Sequence, residues 1–217
     1  IHGAHGDICA GKERYGLDGN GAAELLSGSD IGFVGFGDLG RALHRLLLPF
    51  QARIRVYDPW LPDGHLHRLG VEPVGFQPLL RQSRVVFVVA SVTSENAHLF
   101  DKAALAEMPN GAMLVLLSRA ALVDFDALVV EARAGCLRVA TDVFPEEPVT
   151  AEDPLRQVPN ILFSAHRAGA LTPALHAIGD YVLEDLELIA QGLPPVACRR
   201  AERETVAMMR SQPVSMT

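Results

Sequence analysis

Three glycines and one acid carry the first recognisable chemistry. Within residues 31–58 an apolar run, IGFVG, leads into G-F-G-D-L-G with Gly35, Gly37 and Gly40; an amphipathic stretch follows, and RIRVYD ends on Asp58. A strand feeding a Gly-rich turn and then a helix aims free backbone N–H groups and the positive helix end at a phosphate. On this reading a side chain at Gly35 or Gly37 would obstruct a pyrophosphate, and Gly40 lets the helix lie close to the strand. Asp58 closes a second strand, where it can accept hydrogen bonds from a ribose diol and repel a 2′-phosphate, so the expected cofactor is NAD rather than NADP. The same glycines would also suit a plain turn before a helix. The preceding strand, the helical repeat of Leu39, Leu43, Leu46 and Leu47, and the acid on schedule favour the dinucleotide.

Three further residues lie where a dinucleotide domain becomes an enzyme, at the carboxyl ends of strands. Arg119 follows AMLVLL, Glu147 follows RVAT in TDVFPEEP, and His166 follows NILF in NILFSAHRAG. Taken singly, each has a plainer reading: a surface arginine, a solvated loop at Glu146 and Glu147, a structural histidine. His2, His5, His44, His65, His67, His98 and His176 have no comparable placement, and His65 with His67 reads as a solvated turn rather than a metal site.

The elements that must position these groups alternate along the chain. Strand-like runs IGFV, RIRVY, VEPV, VVFVV, AMLVLL, RVAT and NILF are separated by helical stretches, which predicts an α/β fold with a parallel sheet. VVFVV and AMLVLL are apolar at consecutive positions, as in strands covered on both faces, so the sheet is expected to be doubly wound. VDFDALVVEARAG predicts a helix capped by Asp124 and stopped by Gly135. PALHAIGDYVLEDLELIAQG predicts another, with Leu175, Ile178, Val182, Leu186 and Ile189 on one face and Asp180, Glu184, Asp185 and Glu187 largely off it. Residues 1–29 read as a lead-in or interdomain segment, 30–193 as the dinucleotide domain and 194–217 as a C-terminal tail. The start on Ile rather than Met suggests that an N-terminal part is missing.

In this order and spacing the motifs GFGDLG, VYDP, LLSRAALVDFDAL, ATDVFPEEP and VPNILFSAHRAGA resemble the D-isomer-specific 2-hydroxyacid dehydrogenase family, from about residue 31 to 193. The resemblance implies a Rossmann-type NAD-binding domain and an oxidoreductase that moves a hydride between nicotinamide and a small 2-hydroxy or 2-keto acid. It implies Arg119 as the substrate arginine, Glu147 as the carboxylate partner and His166 as the acid/base. Gly35, Gly37, Asp38, Leu39, Gly40, Asp58, Ala90, Ser91 and Ser118 then line the cofactor, with Asp142 at its nicotinamide end. The residue types suit the task. An imidazolium at His166 can protonate the oxyanion that forms as a keto acid is reduced, and Glu147 beside it favours that charged form. Arg119, fork-shaped and permanently charged, suits bidentate capture of a carboxylate.

The family also has a substrate-binding domain built from its N-terminal region and C-terminal end. The resemblance implies that most of it is absent from these 217 residues, that the tail packs on it, and that the protein is a homodimer. Four departures bear on the substrate. Ala120 and Ala121 stand where the family has two glycines after the arginine, and Ala168 with Gly169 replaces a glycine pair. Arg167 replaces the usual Ile, offering either a second anion contact or a solvent-facing charge. Val89, Ala90 and Ser91 replace a common H-x-P. Two other functions stay open: an NAD-sensing regulatory or interaction protein without turnover, and a dehydrogenase for another small oxyanion such as phosphite. Formate fits less well, since formate-oxidising relatives carry Gln where this chain has Glu147.

Composition sets the outer bounds. With 217 residues, 49% of them hydrophobic, the chain has ample apolar material for a core. Its longest apolar run, VVFVVA, is far short of the ~20 residues of a membrane helix, and no signal-peptide pattern opens the sequence. A soluble, cytoplasmic protein without membrane partners is expected. A formal charge of −7 argues against a nucleic-acid partner, and the basic cluster RRAER near the C-terminus is interrupted by acids. Cys9, Cys136 and Cys198 form neither a disulfide framework nor a zinc pattern, and no metal is expected.

Overall fold

A computed structural model describes residues 2–20, 23–93 and 95–198. Seven parallel strands form one sheet: β1 (Asp30–Val34), β2 (Arg53–Tyr57), β3 (Glu72–Pro73), β4 (Val85–Val88), β5 (Ala112–Leu116), β6 (Leu137–Thr141) and β7 (Ile161–Phe163). Their order is β3-β2-β1-β4-β5-β6-β7. The described α-helices are α1 (His2–Cys9), α2 (Asp38–Leu47), α3 (Asp63–Arg68), α4 (Phe76–Gln82), α5 (Lys102–Ala106), α6 (Phe125–Ala134) and α7 (Thr172–Ala190), joined by short 3-10 turns. Every run expected to be a strand is one, and the fold is the doubly wound Rossmann type.

Side chains alternate between two cores along each strand. Ile31, Phe33 and Val56 pack with Leu47 of α2 and Leu66 of α3 on one face. Val34, Val86, Val88, Leu114 and Leu116 pack with Leu79, Leu105 and Leu128 of α4, α5 and α6 on the other. The second face is the better covered: β5 and β6 alternate buried with half-buried residues, so Met113 and Val115 are not fully enclosed as their apolar run predicted. The Asp124 carboxylate accepts from Ala127 N–H at 3.0 Å and Gly135 turns left-handed with φ 75°, fixing both ends of α6 where the sequence put them.

Two helix faces differ from expectation. On α2 the buried positions are Gly40, His44 and Leu47, whereas Leu39 and Leu46 are exposed. The helical period is right but the face is rotated, because glycine and histidine at the true inner positions give no apolar signal. Burial pushes the pKa of His44 down, and its ring packs 5.6 Å from that of Phe36. On α7 the expected apolar stripe of Leu175, Ile178, Val182, Leu186 and Ile189 is exposed, and Asp185 is the buried residue. Its carboxylate accepts N–H groups of Val196, Ala197 and Cys198 at 2.6 to 3.0 Å, folding the start of the tail back onto α7. The rest of the tail, with the RRAER cluster, lies outside the described residues. Among the described residues no helix is long and apolar enough to cross a membrane.

Candidate active site

Sheet order brings the expected site residues to one edge. The turn after β1, Ala90 and Ser91 after β4, Ser118 and Arg119 after β5, Asp142 to Glu147 after β6 and His166 after β7 all leave the carboxyl ends of neighbouring strands. The hydrogen-bond ladder continues beyond the strands. Leu117 N donates to Val88 O at 3.2 Å, Asp142 N to Leu116 O at 3.1 Å, and His166 N to Asp142 O at 2.8 Å. Each loop therefore starts in register with its neighbour.

Chain order reverses between β1 and β4, the switch point where doubly wound sheets open a crevice. Gly35 sits there with φ 89°, and a Cβ on it would lie 2.5 Å from Ala90 Cα. The glycine is thus demanded by the protein's own backbone, a different reason from the pyrophosphate obstruction expected. A Cβ on Gly37 would meet nothing within 4 Å, so the turn faces open space on that side. A Cβ on Gly40 would lie 3.0 Å from Gly35 O, confirming that α2 approaches the turn closely. The cleft beside the turn, about 360 Å³, is lined by Gly37, Asp38, Leu39, Ala90, Ser91, Ser118 and Arg119, among others. A bare glycine turn at a helix start, facing an open cleft at the switch point, fits the phosphates of a dinucleotide.

Asp58 follows β2 directly and has a task the sequence did not reveal. Its Oδ2 accepts from Phe36 N at 2.8 Å and its Oδ1 from Trp60 N at 2.9 Å. The carboxylate therefore pins the end of β2 to the glycine turn. Its second lone pairs stay available, since each carboxylate oxygen can accept twice.

His166 and Glu147, nineteen residues apart, form a direct pair: His166 Nδ1 lies 2.7 Å from Glu147 Oε2. The side chains are 35% and 19% exposed, so the pair is half-shielded yet open on one side. Glu147 is fixed in turn, its Oε1 accepting from Phe144 N at 2.9 Å. With Nδ1 occupied by the carboxylate, Nε2 is the ring nitrogen left to exchange a proton with a ligand. The His166 backbone is left-handed with φ 51°, a conformation that costs a non-glycine residue about 1–3 kcal/mol and persists only where its surroundings enforce it. Phe144, on the loop after β6, packs its ring against those of Phe125 and Phe163, with centroids 6.3 and 6.2 Å apart.

Asp142 is 4% exposed, and its two oxygens accept from Arg167 N at 2.9 Å and Ala168 N at 3.0 Å. Burial pushes its pKa up, but hydrogen bonds from the Ser164 side chain and those two backbone groups outweigh this and hold the carboxyl below its ordinary value. Arg119 is exposed on the cleft wall, with Nη1 donating to Ser118 O at 2.7 Å, and Ser118 Oγ donates to Val88 O at 3.1 Å. Arg167 lines a second crevice of about 510 Å³ with Phe163, Ser164, Ala165, Ala168, Ala170 and Leu171. Among the described residues no three His, Cys, Asp or Glu side chains group as a metal site.

Comparison with known proteins gives the family. Residues 10–168 match the family described as D-isomer specific 2-hydroxyacid dehydrogenase, NAD binding domain. The chain is similar to a D-3-phosphoglycerate dehydrogenase of Mycobacterium leprae, 32% identical over 168 residues, covering 77% of this chain and 32% of the relative. It is similar to a glyoxylate reductase of Korarchaeum cryptofilum, 33% identical over 170 residues, covering 77% and 51%. Among solved structures, a phosphoglycerate oxidoreductase from Rhizobium etli superposes with a TM-score of 0.86 at 49% identity, covering 93% of this chain and 61% of that one. The chain thus spans about a third to a half of the length of these curated relatives.

Proposed function

Because the chain belongs to the D-isomer-specific 2-hydroxyacid dehydrogenase family through its NAD-binding domain, we propose that its protein interconverts a small 2-hydroxy acid and the corresponding 2-keto acid with NAD. The observation that carries this reading is the Glu147–His166 pair at 2.7 Å, on the same sheet edge as the glycine cleft. When bound, NADH supplies the hydride that the carbonyl carbon takes up. In that direction His166, protonated and held through Nδ1 by Glu147, gives the proton on Nε2 to the developing alkoxide; in oxidation it takes the proton back. Arg119 binds the substrate carboxylate through its planar guanidinium, which also polarises the adjacent carbonyl. Gly37, Asp38, Leu39 and the N–H groups opening α2 take the phosphates, with Gly35 and Gly40 giving the turn its shape. Asp58 takes the ribose diol, and Ala90, Ser91 and Ser118 flank the rest of the cofactor. Asp142 stands at the nicotinamide end.

Arg167, beside His166 on the 510 Å³ crevice, is placed to meet a second anionic group. The phosphoglycerate relatives make a phosphorylated 2-hydroxy acid the first to try. The reading keeps residues 30–193 as the cofactor domain, 1–29 as the lead-in and 194–217 as a tail toward a second domain that covers the apolar face of α7. It also keeps a homodimer and a cytoplasmic location, for which sedimentation and fractionation are the measurements. The direct test is a screen of 2-keto acids with NADH in the full-length protein. Turnover of at least one is expected, and no turnover of any would overturn the reading.

A further inference from the structure

One carboxylate on the cofactor cleft has the sign opposite to the one a phosphate site calls for. Asp38 opens α2 and lines the 360 Å³ cleft beside the glycine turn. Gly37 caps that helix without a side chain able to accept from its first N–H groups, so those donors and the positive helix end are left for an anion. The Asp38 carboxylate, 68% exposed, stands at the same helix end. An acid in a first turn ordinarily favours its own helix. Here the field that favours it is also the one that draws a pyrophosphate, and two negative groups compete for it.

Arg41, three residues on, meets this charge. Its Nη2 donates to Asp38 Oδ1 at 2.9 Å, and its backbone N–H donates to Gly37 O at 3.0 Å. The guanidinium is the more shielded partner, with 26% of its side chain exposed. A surface ion pair three residues apart on a helix contributes little to folding. Beside a bound dianion the same charges act on binding. Of the residues lining the cleft, Asp38 and Arg119 are charged, and Arg119 is assigned to the substrate. The side-chain charge nearest the glycine turn is therefore negative.

We propose that Asp38, partly offset by Arg41, sets an upper limit on how tightly NAD is held and so speeds its release. This role rests on the reading of the glycine turn as the phosphate site. It belongs to the side-chain charge of Asp38, whereas the phosphate contact assigned above is made by backbone N–H groups.

The test measures NAD dissociation constants and NADH release rates for wild type, Asp38→Asn and Asp38→Ala in the full-length protein, at low and high salt. Both variants remove the charge, and both are expected to bind NAD roughly three- to tenfold more tightly at low ionic strength, with the gain shrinking as salt is raised. NADH release is expected to slow by the same factor. ADP-ribose, which carries the pyrophosphate, is expected to gain as NAD does, and adenosine, which lacks it, is expected to bind all three proteins alike. Arg41→Gln leaves the acid uncompensated and is expected to weaken NAD by a similar factor, while urea midpoints move little in every variant. Unchanged or weaker NAD binding in both Asp38 variants would overturn the proposal. A gain in Asp38→Asn alone would mark a new hydrogen bond rather than a lost charge and would overturn it too, as would a gain that salt does not reduce or an Arg41→Gln protein that binds NAD as wild type does. If wild type binds neither NAD nor ADP-ribose, the phosphate-site reading fails and the proposal with it; if it binds both and the Asp38 variants match it, the proposal alone fails.

Discussion

His166 and Glu147 meet at 2.7 Å although they stand on loops that follow two different strands, β7 and β6. Adjacent pairing of those strands, with Thr141 opposite Phe163, brings the loops together. The carboxylate is itself tethered by Phe144 N, so the pair is organised before any ligand arrives.

Glu147→Gln keeps the shape of the side chain but replaces one of its two acceptors, which serve Phe144 N and His166 Nδ1, by an NH2 donor. The ring loses its fixed orientation, so kcat should fall roughly 10- to 100-fold while NAD affinity stays within about threefold. Steady-state rates at saturating NADH and a cofactor titration check this, and an unchanged kcat would reduce Glu147 to a loop anchor.

Two glycines of one turn should separate stability from binding. Gly35→Ala places a methyl 2.5 Å from Ala90 Cα in a left-handed backbone and should cost roughly 1–3 kcal/mol or more. Gly37→Ala meets nothing within 4 Å, so its unfolding free energy should stay within about 0.5 kcal/mol of wild type while NAD affinity drops. Urea denaturation and cofactor titration of both variants check this; equal effects on both quantities would contradict it.

Asp58→Ala should relax the preference for NAD over NADP, because the carboxylate that repels a 2′-phosphate is gone. It should also cost about 1–3 kcal/mol of stability, since Phe36 and Trp60 N–H groups lose their acceptor. Titration of each cofactor decides the first point, and similar affinities in wild type would remove the assigned role.

Acid stability should trace to Asp30 at the opposite end of β1. The hydrogen bond from Arg53, aided by Arg55 and opposed by burial, holds its carboxyl at about 2. A depressed folded-state value stabilises above the ordinary carboxylate range and is lost as pH falls from near 4 toward 2. Asp30→Asn should therefore lose about 1 kcal/mol at neutral pH, allowing for solvent screening, and show a flatter decline across that acid window. Denaturation at several pH values measures it, and an unchanged slope would assign the acid sensitivity elsewhere.

The strands were legible because parallel strands write themselves as short apolar runs, and even the weak VEPV survives as β3, Glu72–Pro73. Strand order brings Arg119, Glu147 and His166, which follow the strand ends, to one edge, and that much the sequence showed. Helix faces were less legible. On α2 the inner row of Gly40 and His44 carries no apolar mark, and on α7 a correct stripe reports amphipathicity but not what covers it. The extra duties of Asp58 and Asp142 were hidden for a different reason. A carboxylate accepting backbone N–H groups from residues more than twenty positions away has no local periodicity, and its partners donate from main chain that any residue type supplies. Only the reversal of chain order at β1 and β4, and the pairing of β6 with β7, brings those groups into reach.

The central claim, that His166 moves the proton of a dehydrogenase reaction, is tested most directly by His166→Ala in the full-length protein, with turnover and NAD affinity measured side by side on the best 2-keto acid. Loss of a general acid should lower kcat by ~100- to 10,000-fold while the dissociation constant for NAD remains within about threefold. A variant that keeps wild-type kcat, or that loses NAD affinity in step with its rate, would contradict the account.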